Sequence, residues 1–230
     1  MHQEQTRDLR TATNDFSVAH GARISSAIEE NSTLLVSWLS YLNAFHRTQV
    51  ADSLLDAVSS SIREVAGVAS LGLGRHALFS LRSQIDLLLA WLYFKDHAIE
   101  WQHVNQTADG FKLKKDILQY LEQHVPRFSH RMGILREIAS RKESDPYKFL
   151  SAHVHSQSDP VLPVIKNLKD LVYPERVCAE SALVAYEVAE YINDILLSFY
   201  LSSWASFPSN IKSALNLRFQ SPAQRESFFS

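Results

Sequence analysis

The sequence predicts an all-α protein: a single helical bundle with a long central helix and a long C-terminal one. Three observations predict it. Only 6 glycines and 7 prolines punctuate 230 residues, and every proline lies at position 126 or later, so chain breakers are scarce. Apolar residues recur at three- and four-residue intervals over segments too long for strands. Hydrophobic residues make up 46% of the chain and charged ones 21%, which supports a real core and excludes a disordered class.

The elements follow in order. Residues 4–19 read as a frayed first helix. Residues 22–46 read as a second helix, with Ile24, Ile28, Leu35, Leu39 and Leu42 on its apolar face, and 48–67 as a third, striped by Val50, Leu54, Val58, Ile62 and Val65. The central helix is expected over 75–106, with Leu78, Leu81, Ile85, Leu88 and Leu92 as its stripe, until Asp109-Gly110 breaks it. Helices over 111–124 and 127–141 come next, the second opened by Pro126. Asp145-Pro146 is a helix start, with Asp as N-cap and Pro in the first turn, and that helix runs to about His155. After the loop "SQSDPVLP", a short helix near 163–171 is expected, then a long one over 175–204 and an amphipathic one over 208–218. All of 1–230 reads as one domain: an N-terminal helical extension (1–47), a core (48–205), and a short helix with a tail (206–230).

Charge and cysteine usage narrow the function classes. A net charge of −2 argues against a strongly basic protein that coats nucleic acid. The single cysteine, Cys178, excludes an intramolecular disulfide and a Cys-rich zinc site, and fits a reducing cytoplasm. The opening "MHQEQTRDLRTATNDF" lacks the apolar core of an export signal. The apolar run "LLLAWLYF" is too short to span a bilayer. The stretch from Leu183 to Phe207 carries Glu187, Glu190 and Asp194, which reads as a buried amphipathic helix of a protein in water. The expectation is a cytoplasmic protein with no membrane segment.

Two places put polar chemistry in apolar company. In "LFSLRSQIDLLLAWLYF", Arg82 and Asp86 stand one turn apart on a shared face, about 100° round the helix from Leu81 and Ile85. They read either as a surface pair or as a partly buried pair beside a cleft. In "DPYKFLSAHVHSQSDP", Lys148 and His155 are seven residues apart and fall within about 20° of one another, with Ser151 or Ala152 between them. Tyr147, Leu150 and Val154 form the neighbouring apolar stripe, expected to face the core. His153 points roughly 160° away from His155, so the two do not converge on a metal while the helix continues. No metal or cofactor is expected. The chain has no phosphate-binding glycine loop of either common kind and no Gly-x-Ser-x-Gly elbow; "LGLGRH" at 71–76 reads as a turn before the central helix.

Together, "LRSQIDLLLAWLYF" on a long helix and "YKFLSAHVHSQSD" downstream resemble the HEPN superfamily, most closely its branches associated with bacterial abortive infection and phage defence. There an Arg-x-x-x-acid pair accompanies a later Tyr-x-x-x-Ser-x-x-x-His stretch. The matching positions are Arg82, Asp86, Tyr147, Ser151 and His155, and the resemblance covers roughly residues 50–200. It implies a helical bundle that often dimerises, with Tyr186, Phe199 and Trp204 of the last long helix available either for an interface or for the monomer core. It also implies, for many members, metal-independent cleavage of RNA through an Arg-x4–6-His motif. His155 then moves the proton of the ribose hydroxyl, Arg82 and Lys148 bind the scissile phosphate, Asp86 orients a cation or the histidine, and Ser151, Tyr147 and His153 give secondary contacts. Lysine, not arginine, stands at 148, in the window five to seven positions before His153 and His155. Lysine keeps the charge and loses the bidentate fork. Three readings stay open: cleavage of RNA, docking onto a partner protein of a defence or toxin–antitoxin system without catalysis, and sensing of a nucleotide in the same cleft.

Overall fold

The computed structural model describes residues 2–230, and every regular element among them is helical. Helix α1 (His2–Phe16) does not fray before the next helix begins. It passes through a π-helical stretch, Ser17–Gly21, directly into α2 (Ala22–Asn31). The expected second helix is instead divided at Ser32, and α3 (Thr33–Phe45) follows. The cause is local. The Ser32 hydroxyl donates to the Ile28 carbonyl at 2.8 Å and the Thr33 hydroxyl to the Glu30 carbonyl at 2.6 Å. Adjacent hydroxyls of this kind compete with the backbone ladder.

Helix α4 (Ser53–Ser70) leads to the central α5 (Gly74–Phe94), which is shorter than expected. It stops where His97 Nδ1–H donates to the Tyr93 carbonyl at 2.6 Å, occupying the acceptor that the His97 amide would use in a continuing helix. That amide turns to Phe94 at 3.0 Å, and α6 (Ala98–Thr107) starts anew. Then come α7 (Lys114–His124), α8 (Phe128–Glu137) and α9 (Pro146–Val154). A 3₁₀ turn, Asp159–Val161, falls in the expected loop, and a second, Leu168–Leu171, stands at the end of the expected short helix. Helix α10 (Glu175–Tyr200) ends in a 3₁₀ stretch, Leu201–Ser206, and α11 (Ser209–Asn216) follows. The expected tail contains α12 (Pro222–Phe229), started by the Ser221 hydroxyl, which accepts from the Gln224 amide at 3.2 Å, and by Pro222 in the first turn.

The chain divides into two compact units, each drawn from three separate segments. One unit comprises 1–33, 60–84 and 145–188; the other comprises 34–59, 85–144 and 189–230. The first 47 residues are therefore shared between units. The first unit buries Ile24, Ile28, Val65, Leu78, Leu81 and Leu150. Its loop before α5 is pinned by the Tyr173 amide on the Gly72 carbonyl at 2.8 Å. Gly72 has φ +83°, and a Cβ there would lie 2.5 Å from the Val172 side chain. Only glycine fits both the left-handed backbone and the space.

The second unit buries Trp38, Leu42, Leu55, Ile85, Trp91, Phe94 and Phe228. Its two buried indoles each find an acceptor: Trp38 on Asn193 at 2.9 Å and Trp91 on Asp52 at 3.2 Å. Deep inside it Arg141 reaches Asp194 at 2.6 Å and Glu190 at 3.4 Å, while Arg218 reaches Asp194 at 2.5 Å and Glu190 at 3.5 Å. Glu190 and Asp194, one turn apart on α10, thus face the interior rather than water. No helix among the described residues is long and apolar enough to cross a membrane.

Candidate functional site

Helix α9 carries the candidate site in the first unit. Pro146 opens it, as its fixed φ suits a first turn. The expected Asp145 cap is absent in one respect: its side chain makes no capping hydrogen bond. Leu150 is fully buried and anchors the helix to the core. Tyr147 does not simply join that apolar stripe. It is half-buried, and its hydroxyl accepts from Arg82 Nη2 at 2.6 Å. Arg82 Nε donates to the Ser151 hydroxyl at 3.1 Å, and the guanidinium lies 4.6 Å from the Tyr147 ring centroid. Two residues one turn apart on α9 thus grip one arginine of α5, across 65 and 69 positions of chain. The planar fork of arginine makes such a double contact possible; an ammonium could not hold both with fixed geometry.

The remaining sequence-selected residues lie on the same two helices or at the end of α9. Asp86 follows Arg82 by one turn and is half-buried. Lys148 is exposed. His155 is exposed and closes α9, its amide donating to the Ser151 carbonyl at 2.9 Å. Its imidazole makes no described hydrogen bond to Arg82, Tyr147 or Ser151. The spacing is nonetheless telling: 147, 151 and 155 repeat every four residues, which places them along one helical stripe. His153 faces elsewhere, as its position on the helix predicts. It is half-buried with its ring edge-to-face on Phe149 at 4.7 Å. Burial, and then the nearby Arg75 cation, hold its imidazole below the ordinary histidine pKa.

Sequence reasoning passed over Arg75. Its Nη1 donates to the Val161 carbonyl and its Nη2 to the His153 carbonyl and the Ser156 hydroxyl, each at 2.9 Å. The signal was present in "LGLGRH": a cation in the first turn of α5, where the helix dipole disfavours positive charge, needs another employment.

Among the described residues, no group of three or more His, Cys, Asp and Glu side chains is arranged to hold a metal. Cys178 is buried, and burial pushes its thiol up to about 11, away from the thiolate a nucleophile needs. Comparison with protein-family models, with curated proteins and with solved structures gave no match.

Proposed function

We propose that this chain is a HEPN-like helical protein of a bacterial defence or toxin system, and that its Arg82–Tyr147–Ser151–His155 stripe cleaves RNA without a metal ion. The observation that carries the reading is the double grip of Tyr147 and Ser151 on Arg82, with His155 next along the same stripe of α9 and open to solvent. In this scheme the His155 imidazole takes the proton of a ribose 2′-hydroxyl. The 2′ oxygen attacks the adjoining phosphorus, a new P–O bond forms, and the bond to the 5′ oxygen breaks. The 5′ oxygen leaves by taking that proton back from the His155 imidazolium, and the product carries a 2′,3′-cyclic phosphate. Arg82, held in a fixed orientation, stabilises the charge on the phosphoryl oxygens, and Lys148 adds a second cation. Asp86 and the two hydroxyls orient rather than react.

The test is incubation of the purified chain with total RNA in a chelator, beside His155→Ala. The expected outcome is cleavage by the first and loss of about 10²-fold or more in the second. Equal intactness of RNA with both proteins ends the cleavage reading.

One observation favours a second reading. The same two hydrogen bonds tie α5 to α9, which is what a non-catalytic subunit needs to keep its helices in register while it docks on a partner toxin or nuclease. In that case Arg82→Gln lowers stability and His155→Ala changes nothing measurable.

A further inference from the structure

We infer that Arg75 is a positioning residue: its guanidinium fixes the backbone turn that carries His155. The inference rests on His155 as the acid–base group only for its chemical consequence, since the turn itself is a matter of geometry.

The turn is unusual in its backbone. Ser156, directly after His155, adopts φ +50°, in the left-handed region that non-glycine residues visit at a cost. The Gln157 amide reaches back to the Ala152 carbonyl at 3.0 Å, the long bond that closes a helix through a left-handed residue. Glycine is the usual occupant of this position; serine here brings a hydroxyl, and Arg75 uses it. One guanidinium therefore grips the carbonyl of His153, the hydroxyl of Ser156 and the carbonyl of Val161. The contacts fall two residues before His155, one after and six after. The segment that carries the candidate imidazole is bracketed on both sides by one rigid fork.

The fork is itself anchored. Arg75 lies 5.2 Å over the Phe79 ring, one turn on in α5. Arg82 stands on the same helix seven residues after Arg75, two turns on, and grips α9 through Ser151 and Tyr147. Helix α5 thus holds α9 by two arginines: Arg82 along its length and Arg75 past its end. The spacing between them sets where His155 sits relative to Arg82.

The experiment compares the full chain with Arg75→Gln by hydrogen–deuterium exchange over 155–161, with 78–92 as the internal reference, and by RNA cleavage kinetics. Exchange over 155–161 is expected to rise by about tenfold or more while the reference segment stays unchanged. For cleavage, kcat is expected to fall by about tenfold, with KM within about threefold, because Arg75 is occupied by protein oxygens and does not bind phosphate. Unchanged exchange overturns the inference. So does a rise in KM at constant kcat, which would make Arg75 a phosphate ligand. If wild type and His155→Ala leave RNA equally intact, the cleavage reading falls by itself, and exchange alone then decides: a loosened turn upholds the positioning role and an unaltered one overturns it. Should Arg75→Gln fail to fold, Arg75→Lys keeps the charge and loses the fork; wild-type exchange in that variant also overturns the inference.

Discussion

Each unit holds an arginine-centred polar cluster, and the two differ in partners and in access to water. In the unit containing Trp38 and Trp91, Arg141 and Arg218 meet Glu190 and Asp194 with side chains between 0% and 7% exposed. Both acids are shared by both arginines, and the Ser140 and Arg141 amides close further on Glu190 at 2.9 and 2.8 Å. Burial pushes the Asp194 carboxyl up from its ordinary value, and the two guanidiniums offset part of that rise. In the other unit, Arg82 donates to two hydroxyls in a half-buried setting. The lesson concerns what each arrangement can do. A sealed network of opposite charges consumes its own electrostatics and specifies packing. Arg82, donating to two hydroxyls, keeps partial access to solvent.

Three substitutions sharpen or break that contrast. The largest effect belongs to Asp194→Asn, which leaves two guanidiniums without half of their compensation. It is expected to cost about 3–5 kcal/mol, read as the shift in a urea unfolding curve; a change no larger than that of a surface mutation would show that the network is not the structural keystone of its unit. Next is Arg82→Lys, which retains charge but cannot bridge Ser151 and Tyr147. RNA cleavage is expected to fall by about 10²-fold with only a small change in the unfolding midpoint. A large stability loss with intact cleavage would move Arg82 into the same structural class as Arg141.

The smallest effect is one of pH. His153 is held below its ordinary pKa by burial and by Arg75. The folded state therefore resists a proton that the unfolded chain accepts. Its contribution to stability is complete above the unfolded histidine pKa, about 6.5, and is lost as pH falls from there through the lowered folded value. His153→Gln should flatten part of the acid-side decline in thermal midpoint; an unaltered pH profile would show that His153 does not take part.

The helical class was legible because periodicity reports burial, and burial dominates the choice of secondary structure. Ile24, Leu35, Val58, Leu81 and Ile85, all chosen for their spacing, lie in the interior. What spacing does not report is where a side chain outcompetes the ladder, and so the breaks at Ser32 and after Phe94 were missed. The Arg82 contact with Tyr147 and Ser151 was approachable because four-residue spacing on two helices is visible in one dimension. The Arg75 contacts were not, since they depend on a left-handed serine and two backbone carbonyls, which no residue pattern spells out. Glu190 and Asp194 were noticed in an apolar run and read as part of a buried amphipathic helix; their partners Arg141 and Arg218, 49 and 24 positions away, were not visible in that pattern.

The interleaving of the two units has a consequence for biosynthesis. Their segments alternate along the chain, and the switches at 59/60, 84/85 and 188/189 fall inside α4, α5 and α10. Any contiguous fragment that contains all of one unit also contains segments of the other. On the ribosome the first cannot be completed until residue 188 has emerged, nor the second until the segment ending at 230 has. While residues 34–188 emerge, apolar helix faces of each unit therefore precede the mates that cover them.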